Sequence, residues 1–291
     1  SAILKKQLEF RYTPTGIYLG NVYTAFRRYY NDVGWIGVIM FPAILSWFMN
    51  KFYQKVKNNL RSYVEDKGKE NHISPEFVAE TINQKANKDT IFTVDTGMCC
   101  VWGARYLEAT GERKLLGSFN HGTMANAMPM AIGAQMEYPG RQVIALCGDG
   151  GLSMLLGDLI TIVQYRLPVK IVVYNNDCLD FIQLEMQAAG LIPWQINLNN
   201  PSFAAVADAV GIKGFLLDKS SQVDQMVNMF LNYPGAALLD AHVDRDALAL
   251  PPYISMGQAA DFSLAMMKQT LAGEVKQVWN TLAGNRKLFK P

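Results

Sequence analysis

Two polar residues, each standing just after an apolar run, offer the clearest chemistry in the sequence. Asp149 lies in the segment GDGG (148–151), which follows QVIALC, and Asn176 is the second residue of the pair NN that follows VKIVVY. Carboxylate and amide oxygens are hard ligands suited to Mg²⁺, which completes its coordination with phosphate oxygens and water. The pair therefore predicts a magnesium site that also binds a phosphorylated ligand.

The elements that must position these residues are short apolar strands separated by helices. Besides 142–147 and 169–174, we expect strands over 90–95, near 214–217 and over 237–241, with helices over 74–86, 99–107, 124–137, 153–165, 202–210 and 221–231. Such a pattern predicts an α/β fold in which a parallel sheet of about six strands carries helices on both faces.

The spacing of Asp149 and Asn176 fits one crossover between neighbouring strands. They are 27 residues apart, which leaves room for one helix and one return strand. Ligands of open parallel sheets bind at the carboxyl ends of the strands. Both side chains are therefore expected to reach a shared point above the sheet.

Gly150 and Gly151 add a reason to expect a diphosphate. Glycines let the backbone approach an anion closely, and the helix that follows directs its N–H groups toward it. A GDG segment alone is also compatible with a tight strand-to-helix turn in an ordinary doubly wound domain, but the NN pair that ends the next strand favours the metal site. No GxGxxG follows a strand and no GxxxxGK[ST] occurs, which argues against dinucleotide and P-loop sites.

Composition narrows the class of protein. A net charge of +2 in 291 residues gives no electrostatic support for a nucleic-acid partner. The four cysteines form no CxxC pair, which argues against a disulfide scaffold or a zinc site and fits a reducing, cytoplasmic setting.

The chain is predicted to have four parts. Residues 1–57 form an apolar N-terminal segment unlike the rest, 58–72 a charged linker, 73–246 the α/β domain and 247–291 an amphipathic tail with basic residues. The uncharged run VGWIGVIMFPAILSWFM (33–49) is compatible with a membrane-embedded segment and equally with a buried hydrophobic helix, although Pro42 would kink either. The sequence leaves both open.

GDG followed by NN about thirty residues later resembles the signature of thiamine-diphosphate enzymes. The longer stretches LLGSFNHGTMANAMPMAIGAQ, RQVIALCGDGGLSMLLGDL and LPVKIVVYNN are similar to the C-terminal portion of bacterial pyruvate oxidases that pass electrons to quinone (pyruvate:quinone oxidoreductases). The resemblance covers about residues 73–266, and implies the thiamine-diphosphate-binding fold for that region.

The resemblance implies a set of site residues. The metal ligands would be Asp149, Asn176 and the backbone oxygen of Cys178. The cofactor-binding residues would be Gly122, Thr123, Met124, Gly148, Asp149, Gly150, Gly151, Asn176, Asp177, Cys178, Leu179, Asp180, Phe181 and Ile182.

Some of these residues have more specific implied roles. Met124 would be the apolar wedge that keeps the cofactor bent, and Phe181 and Glu185 would act in catalysis. Without the resemblance, Met124, Phe181 and Ile182 are equally compatible with packing, and Glu185 with a solvated helix position. Asp180 stands where the family usually has glycine.

The reaction that the resemblance implies is oxidative decarboxylation of pyruvate to acetate, with electrons passed through FAD to quinone. In the family, a pyrimidine-binding domain and an FAD domain complete a flavoprotein homotetramer, so this chain is expected to be inactive alone. The tail would contact lipid, which places the enzyme at the inner face of the membrane; a helix docked on its own domain is the alternative.

Two other functions stay open. A different thiamine-diphosphate 2-keto acid decarboxylase or synthase, such as an acetolactate synthase, would keep every metal and cofactor residue. A membrane protein with a non-catalytic, cofactor-binding appendage would instead depend on the apolar run at 33–49.

Overall fold

The computed structural model of the protein describes residues 40, 43–58, 60, 64, 68–69, 72–247 and 256–284. The chain divides into two units, residues 1–61 and 62–291. Residues 43–58 of the first unit are helical and expose apolar side chains such as Trp47, Phe48 and Phe52. Much of the predicted apolar run 33–49 lies outside the described residues. Among the helices that are described, none combines the length and the hydropathy needed to span a bilayer.

A parallel sheet of six strands forms the centre of the described part of the second unit. Two very short strands, β1 (Gly68–Lys69) and β2 (His72–Ile73), pair separately and antiparallel before it. The spatial order in the sheet is β4 (Lys114–Gly117), β3 (Ile91–Val94), β5 (Val143–Gly148), β6 (Lys170–Asn175), β8 (Ala237–His242) and β7 (Lys213–Leu217). Every neighbouring pair in it is parallel, which confirms the predicted fold class.

Helices connect the strands and continue beyond the last one. In chain order the described helices of this unit are α1 (Pro75–Lys85), α2 (Met98–Tyr106), α3 (Ala127–Glu137), α4 (Asp149–Met154), α5 (Leu159–Gln164), α6 (Asp180–Ala188), α7 (Phe203–Val210), α8 (Val223–Asn232), α9 (Met256–Leu271) and α10 (Val275–Gly284).

The helices cover both faces of the sheet, as predicted. On one face, residues of α3, α5 and α7 pack with alternate strand residues such as Ala145 and Val173 in one buried cluster. On the other face, α1, α2 and α8 pack together and onto the sheet, and Gly103 of α2 lies against Val94 and Leu146. Because both faces are buried, the central strands are mostly apolar on both sides and do not alternate between apolar and polar residues.

Two predicted helices differ from the structure by more than two residues or by a break. The segment 153–165 is not one helix, because Leu155 has a non-helical backbone (φ −123°, ψ 31°) and a 3₁₀ turn, Leu156–Asp158, separates α4 from α5. The helix predicted from 124 begins only at Ala127, because Ala125 has a left-handed φ of 66°. Met124 therefore precedes α3.

The described part of the tail forms two helices, the first of which packs against α6. Ala265, Met266 and Gln269 of α9 are buried, and the Nε2 atom of Gln187 in α6 donates to Oε1 of Gln269 at 3.4 Å. The tail is thus docked on its own domain, as one of the two alternatives expected. A set of apolar side chains on it stays exposed: Leu264, Met267, Leu271, Val275, Trp279 and Leu282. Lipid contact through this set stays a prediction.

Candidate functional site

A cavity of about 300 Å³ lies above the carboxyl ends of β3, β5 and β6. All predicted site residues except Thr123 and Asp177 line it: Gly122, Met124, Gly148, Asp149, Gly150, Gly151, Asn176, Cys178, Leu179, Asp180, Phe181, Ile182 and Glu185. The two exceptions are exposed. The fold therefore brings predicted residues from three separate stretches of sequence to one place.

Asp149 and Asn176 meet at the floor of this cavity. Asp149 is the first residue of α4 and is only 3% exposed. Its Oδ1 atom accepts a hydrogen bond from the main-chain N–H of Gly150 at 2.8 Å, and its Oδ2 atom accepts one from the main-chain N–H of Asn176 at 3.2 Å. The two strand ends thus meet, as the spacing predicted, although the contact is made by the main-chain N–H of Asn176 and not by its side chain.

The loop that begins at Asn176 is held in place by hydrogen bonds within the loop and by hydrogen bonds to another segment. The Oδ1 atom of Asn176 accepts from the main-chain N–H of Cys178 at 3.2 Å, and its Nδ2 atom donates to Asp180 at 3.3 Å. Asp177 between them has a left-handed φ of 55°, which Asp tolerates better than most residues. Residues 177–179 also pair with 196–198 through two main-chain hydrogen bonds.

The donor set of this floor fits a small divalent cation. Within the described residues, no group of three or more His, Cys, Asp or Glu is arranged to hold a metal, and no salt bridge reaches Asp149. A cation here would depend on the carboxylate of Asp149, the amide oxygen of Asn176 and the backbone oxygen of Cys178, with water or phosphate completing the shell. Burial raises the pKa of Asp149, and an adjacent cation would offset that cost.

The glycines after Asp149 lie close to neighbouring side chains. A Cβ atom on Gly151 would lie 2.1 Å from Oδ2 of Asp95, and one on Gly150 would lie 2.7 Å from Cδ2 of Leu179. The methyl carbon of Met124 lies 3.7 Å from that same position at Gly150. Met124 therefore reaches over the glycine turn, where an apolar group can contact a ligand in the cavity.

One side of the cavity is formed by α6. Phe181 and Ile182 are 39% and 41% exposed, and Glu185 lies one turn after Phe181 on the same face. Asp180 at the start of the helix is buried, and this burial raises its pKa to about 7 although the guanidinium of Arg245 opposes the shift. The side is therefore apolar near Phe181 and acidic at both ends.

Asp95 is a residue of the cavity that sequence reasoning missed. It directly follows β3, and its Oδ1 atom accepts from the main-chain N–H groups of Asn126 (2.7 Å) and Ala127 (3.3 Å), which caps α3 from another segment. Its Oδ2 atom is buried and has no hydrogen-bond partner, and burial raises its pKa to about 6. The rule that located Asp149, a polar residue after an apolar strand, would also have located Asp95.

Three further polar residues beside the site gave a weaker signal or none. Asn200 and Asn175 lie behind Asp149, and Asp240 lies within strand β8, whose other residues before the terminal His242 are apolar. A buried carboxyl in such a strand is a signal that could have been noticed. Asn200 belongs to a loop whose sequence, INLNN, distinguishes none of its asparagines.

The chain matches a known family over this region. Residues 95–241, half of the chain, match the family model described as thiamine pyrophosphate enzyme, C-terminal TPP binding domain. The chain is 32% identical over 217 residues to the protein YdaP of Bacillus subtilis. The match covers 75% of this chain and 38% of YdaP.

Relatives with two different activities match at similar identity. The acetolactate synthase large subunit of Porphyra purpurea is 33% identical over 186 residues (63% of this chain, 31% of that protein). The pyruvate oxidase of Lactiplantibacillus plantarum is 35% identical over 169 residues (57% of this chain, 28% of that protein). The narrower resemblance to pyruvate oxidases is thus one of several.

This chain spans between 28% and 38% of the length of these relatives. The family match begins at Asp95 and ends with Ala241 in β8. It contains four of the six strands of the sheet entirely, nearly all of β8, and most of the cavity lining. The chain belongs to the thiamine pyrophosphate enzyme family and carries its C-terminal thiamine pyrophosphate-binding domain.

Proposed function

We propose that this chain binds thiamine diphosphate together with Mg²⁺ and serves as the cofactor-binding part of an enzyme that decarboxylates pyruvate. The observation that carries the proposal is the meeting of Asp149 and Asn176 at the floor of the cavity, beside two glycines that no larger residue can replace without a collision. A carboxylate, an amide oxygen and open backbone are what a cation-bound diphosphate needs.

Each part of the cavity has a role in this proposal. Asp149, Asn176 and the backbone oxygen of Cys178 would hold Mg²⁺, and Gly150 and Gly151 would face the diphosphate. Thiamine diphosphate, when bound, supplies the electron sink for decarboxylation of a 2-keto acid.

The apolar and acidic side chains of the cavity would serve the substrate. Met124, Phe181 and Ile182 give the cavity an apolar lining, and a covering domain would complete the exclusion of water from the reacting atoms. Glu185 is exposed at the same lining, where a carboxyl group can exchange protons with a substrate or with solvent.

The reaction type that we propose first is that of a quinone-linked pyruvate oxidase, because the long stretches around GTM, GDG and NN are similar to that family. FAD would then be bound by a domain outside the described cavity. A pyrimidine-binding domain, also outside it, would contact the pyrimidine ring of thiamine diphosphate, and the complete enzyme would be a homo-oligomer. Contact of the tail with lipid belongs to the same proposal.

An acetolactate synthase-like reaction is the second candidate, because relatives of that name match this chain at similar identity and over a longer stretch. The two can be separated by combining the chain with the pyrimidine-binding and FAD domains of a relative. Reduction of a quinone analogue by pyruvate would favour the oxidase, and formation of acetolactate without an electron acceptor would favour the synthase.

Calorimetric titration tests cofactor binding directly. Thiamine diphosphate is titrated into the chain with Mg²⁺ and with EDTA, for the wild type, Asp149→Ala and Asn176→Ala. We expect Mg²⁺-dependent binding in the wild type and a loss of at least about 100-fold in affinity in both variants, more than outer-shell substitutions usually cause.

Asp158→Ala is the matched control, since this carboxylate lies in the 3₁₀ turn after α4 and does not line the cavity. It should bind as the wild type does. Wild-type binding that is equally strong in EDTA would contradict the proposed metal site.

A further inference from the structure

A chain of side-chain hydrogen bonds runs from Asp149 away from the cavity. The Nδ2 atom of Asn200 donates to Oδ2 of Asp149 at 2.9 Å and to Oδ1 of Asn175 at 3.0 Å. The Nδ2 atom of Asn175 donates in turn to Oδ1 of Asp240 at 3.0 Å. The other oxygen of Asp240 accepts the main-chain N–H of Phe203 at 2.9 Å, at the start of α7.

The order of donors and acceptors in this series of hydrogen bonds is fixed by the two carboxylates at its ends. Asp240 is 0% exposed, and its carboxylate accepts hydrogen bonds and donates none when ionised. It therefore requires the NH₂ group of Asn175 to face it, which turns the oxygen of Asn175 toward Asn200. Asn200 must then present its own NH₂ group, the only part of its side chain that can bind both Asn175 and Asp149.

Asn200 contacts Asp149 from outside the cavity. It does not line the cavity, and it shares the Oδ2 atom of Asp149 with the main-chain N–H of Asn176. The other oxygen, Oδ1, accepts from the main-chain N–H of Gly150. Donors on both oxygens fix the rotation of the carboxylate, and Asn200 supplies the only side chain among them.

We infer that Asn200 is a positioning residue for the Asp149 carboxylate, through which it strengthens the Mg²⁺-dependent binding of thiamine diphosphate. The inference rests on the proposed function, since it requires Asp149 to bind the metal. Hydrogen bonds to a charged partner are stronger than those between neutral groups. Removing a group that orients a metal ligand typically weakens metal binding about 10- to 100-fold.

The test measures the affinity for thiamine diphosphate, with Mg²⁺ and with EDTA, in the full chain and in substituted chains. Asn200→Ala removes the donor, and Asn200→Asp keeps the size but places a second carboxylate against Asp149. Asn199→Ala is the matched control, because Asn199 is the exposed neighbour of the same residue type. The melting temperature without metal and cofactor is recorded for each variant.

We expect Asn200→Ala and Asn200→Asp to weaken binding about 10- to 100-fold in Mg²⁺ and to leave binding in EDTA unchanged, while Asn199→Ala binds normally. In an Asp149→Ala background, Asn200→Ala should have no further effect, because its partner is gone. Such non-additivity would show that Asn200 acts through Asp149.

Three results would overturn the inference. Normal Mg²⁺-dependent binding by both Asn200 variants would do so while leaving the proposed function intact. Equal losses in Mg²⁺ and in EDTA, together with a lower melting temperature, would assign Asn200 a structural role only. A wild-type chain without Mg²⁺-dependent binding would overturn the proposed function and this inference with it.

Discussion

Asp149 is contacted by hydrogen-bond donors that leave part of its carboxylate available. Gly150 donates to one oxygen, and Asn176 and Asn200 donate to the other. An ionised carboxylate offers about four acceptor positions, so these three hydrogen bonds by themselves do not exclude a further ligand. Because Asp149 lines the cavity and is almost fully buried, that ligand would have to enter from the cavity.

Gly151→Ala tests how closely the residues around Asp149 pack. The new Cβ atom would lie 2.1 Å from the buried carboxylate of Asp95, so the free energy of unfolding should fall by about 3 kcal/mol, the upper part of the range for overpacked sites. Gly148→Ala is the control, since a Cβ atom there has no neighbour within 4 Å. Urea unfolding measures both, and equal stability of the two variants would contradict this packing.

Asp95 should make the stability of the ligand-free chain depend on pH. Its pKa is about 6 in the folded state against 3.8 for an unperturbed Asp. Between these values the folded chain holds a proton that the unfolded chain has lost, so the free energy of unfolding falls as pH rises from about 4 to 6, by up to about 3 kcal/mol.

Asp95→Asn removes this titration and keeps the shape of the side chain. Urea unfolding from pH 4 to 7 should therefore give a flatter profile for the variant than for the wild type. Profiles of the same slope would show that Asp95 titrates near its ordinary pKa in the folded chain. Asp149 and Asp180, whose pKa values are also raised by burial, contribute with the same sign in both proteins.

At the scale of elements, the segment between α6 and α7 connects the cavity to a helix that packs on one face of the sheet. Its residues 196–198 pair with the loop 177–179, and Asn200 contacts Asp149. The start of α7 is then capped twice, by Ser202, whose Oγ atom accepts from Ala205, and by Asp240 of β8. The position of α7 therefore fixes the position of the segment that holds the site loop.

Gly214→Ala should displace α7. A Cβ atom at Gly214 in β7 would lie 2.1 Å from the main-chain oxygen of Ala204 in α7, where no side chain can move aside. We expect the free energy of unfolding to fall by about 3 kcal/mol and Mg²⁺-dependent binding of thiamine diphosphate to weaken as well. Gly157→Ala, at an exposed position with free space, should change neither. An unfolding transition like that of the wild type would show that α7 and β7 can separate at little cost.

At the scale of the whole molecule, the tail has a packed side and an exposed apolar side. Ala265 and Met266 are buried, whereas Leu271 and Trp279 are 86% and 71% exposed. The packed side supports α6, which carries Phe181 and Glu185 of the cavity. Any partner of the exposed side would therefore bind next to the element that forms one side of the site.

If the exposed side of the tail contacts lipid, Leu271→Ser with Trp279→Ser should abolish flotation with liposomes and leave the fold intact. The double variant is compared with the unsubstituted protein. Residues 1–57 are removed from both, so that the apolar helix at 43–58 does not contribute to flotation. Replacing apolar area by hydroxyl groups removes the driving force for insertion. Equal flotation of both proteins would end the lipid proposal, and near-identical melting temperatures serve as the control for folding.

The chain by itself should not release CO₂ from pyruvate, even with Mg²⁺ and thiamine diphosphate added. Phe181 and Ile182 are about two fifths exposed at the cavity, so water can reach the site. This chemistry requires that water be excluded from the reacting atoms. The measurement is CO₂ release by the purified chain, compared with the chain combined with a relative's pyrimidine-binding and FAD domains. Release by the chain alone would contradict the expectation of a shared site.

The sequence by itself determined the parallel sheet and the meeting of Asp149 with Asn176. Apolar runs separated by helices have few ways to fold, and the carboxyl ends of neighbouring parallel strands necessarily share one edge. The close backbone approach at the glycines after Asp149 could be predicted for a similar reason, because its signal is local, whereas the role of Met124 depends on the resemblance. Roles that depend on the resemblance, such as those of Phe181 and Glu185, stay predictions although both residues line the cavity.

Only the tertiary structure decided which residues hold Asp149 in place and where two of the helices begin or break. Asn200 and Asp240 reach the site from segments distant in sequence, and loop residues have no periodicity that would reveal such contacts. The break at Leu155 and the late start of α3 after Ala125 depend on backbone angles, and the start of α3 also depends on the cap from Asp95. Contacts of this kind arise only when distant segments pack together, so no local pattern encodes them.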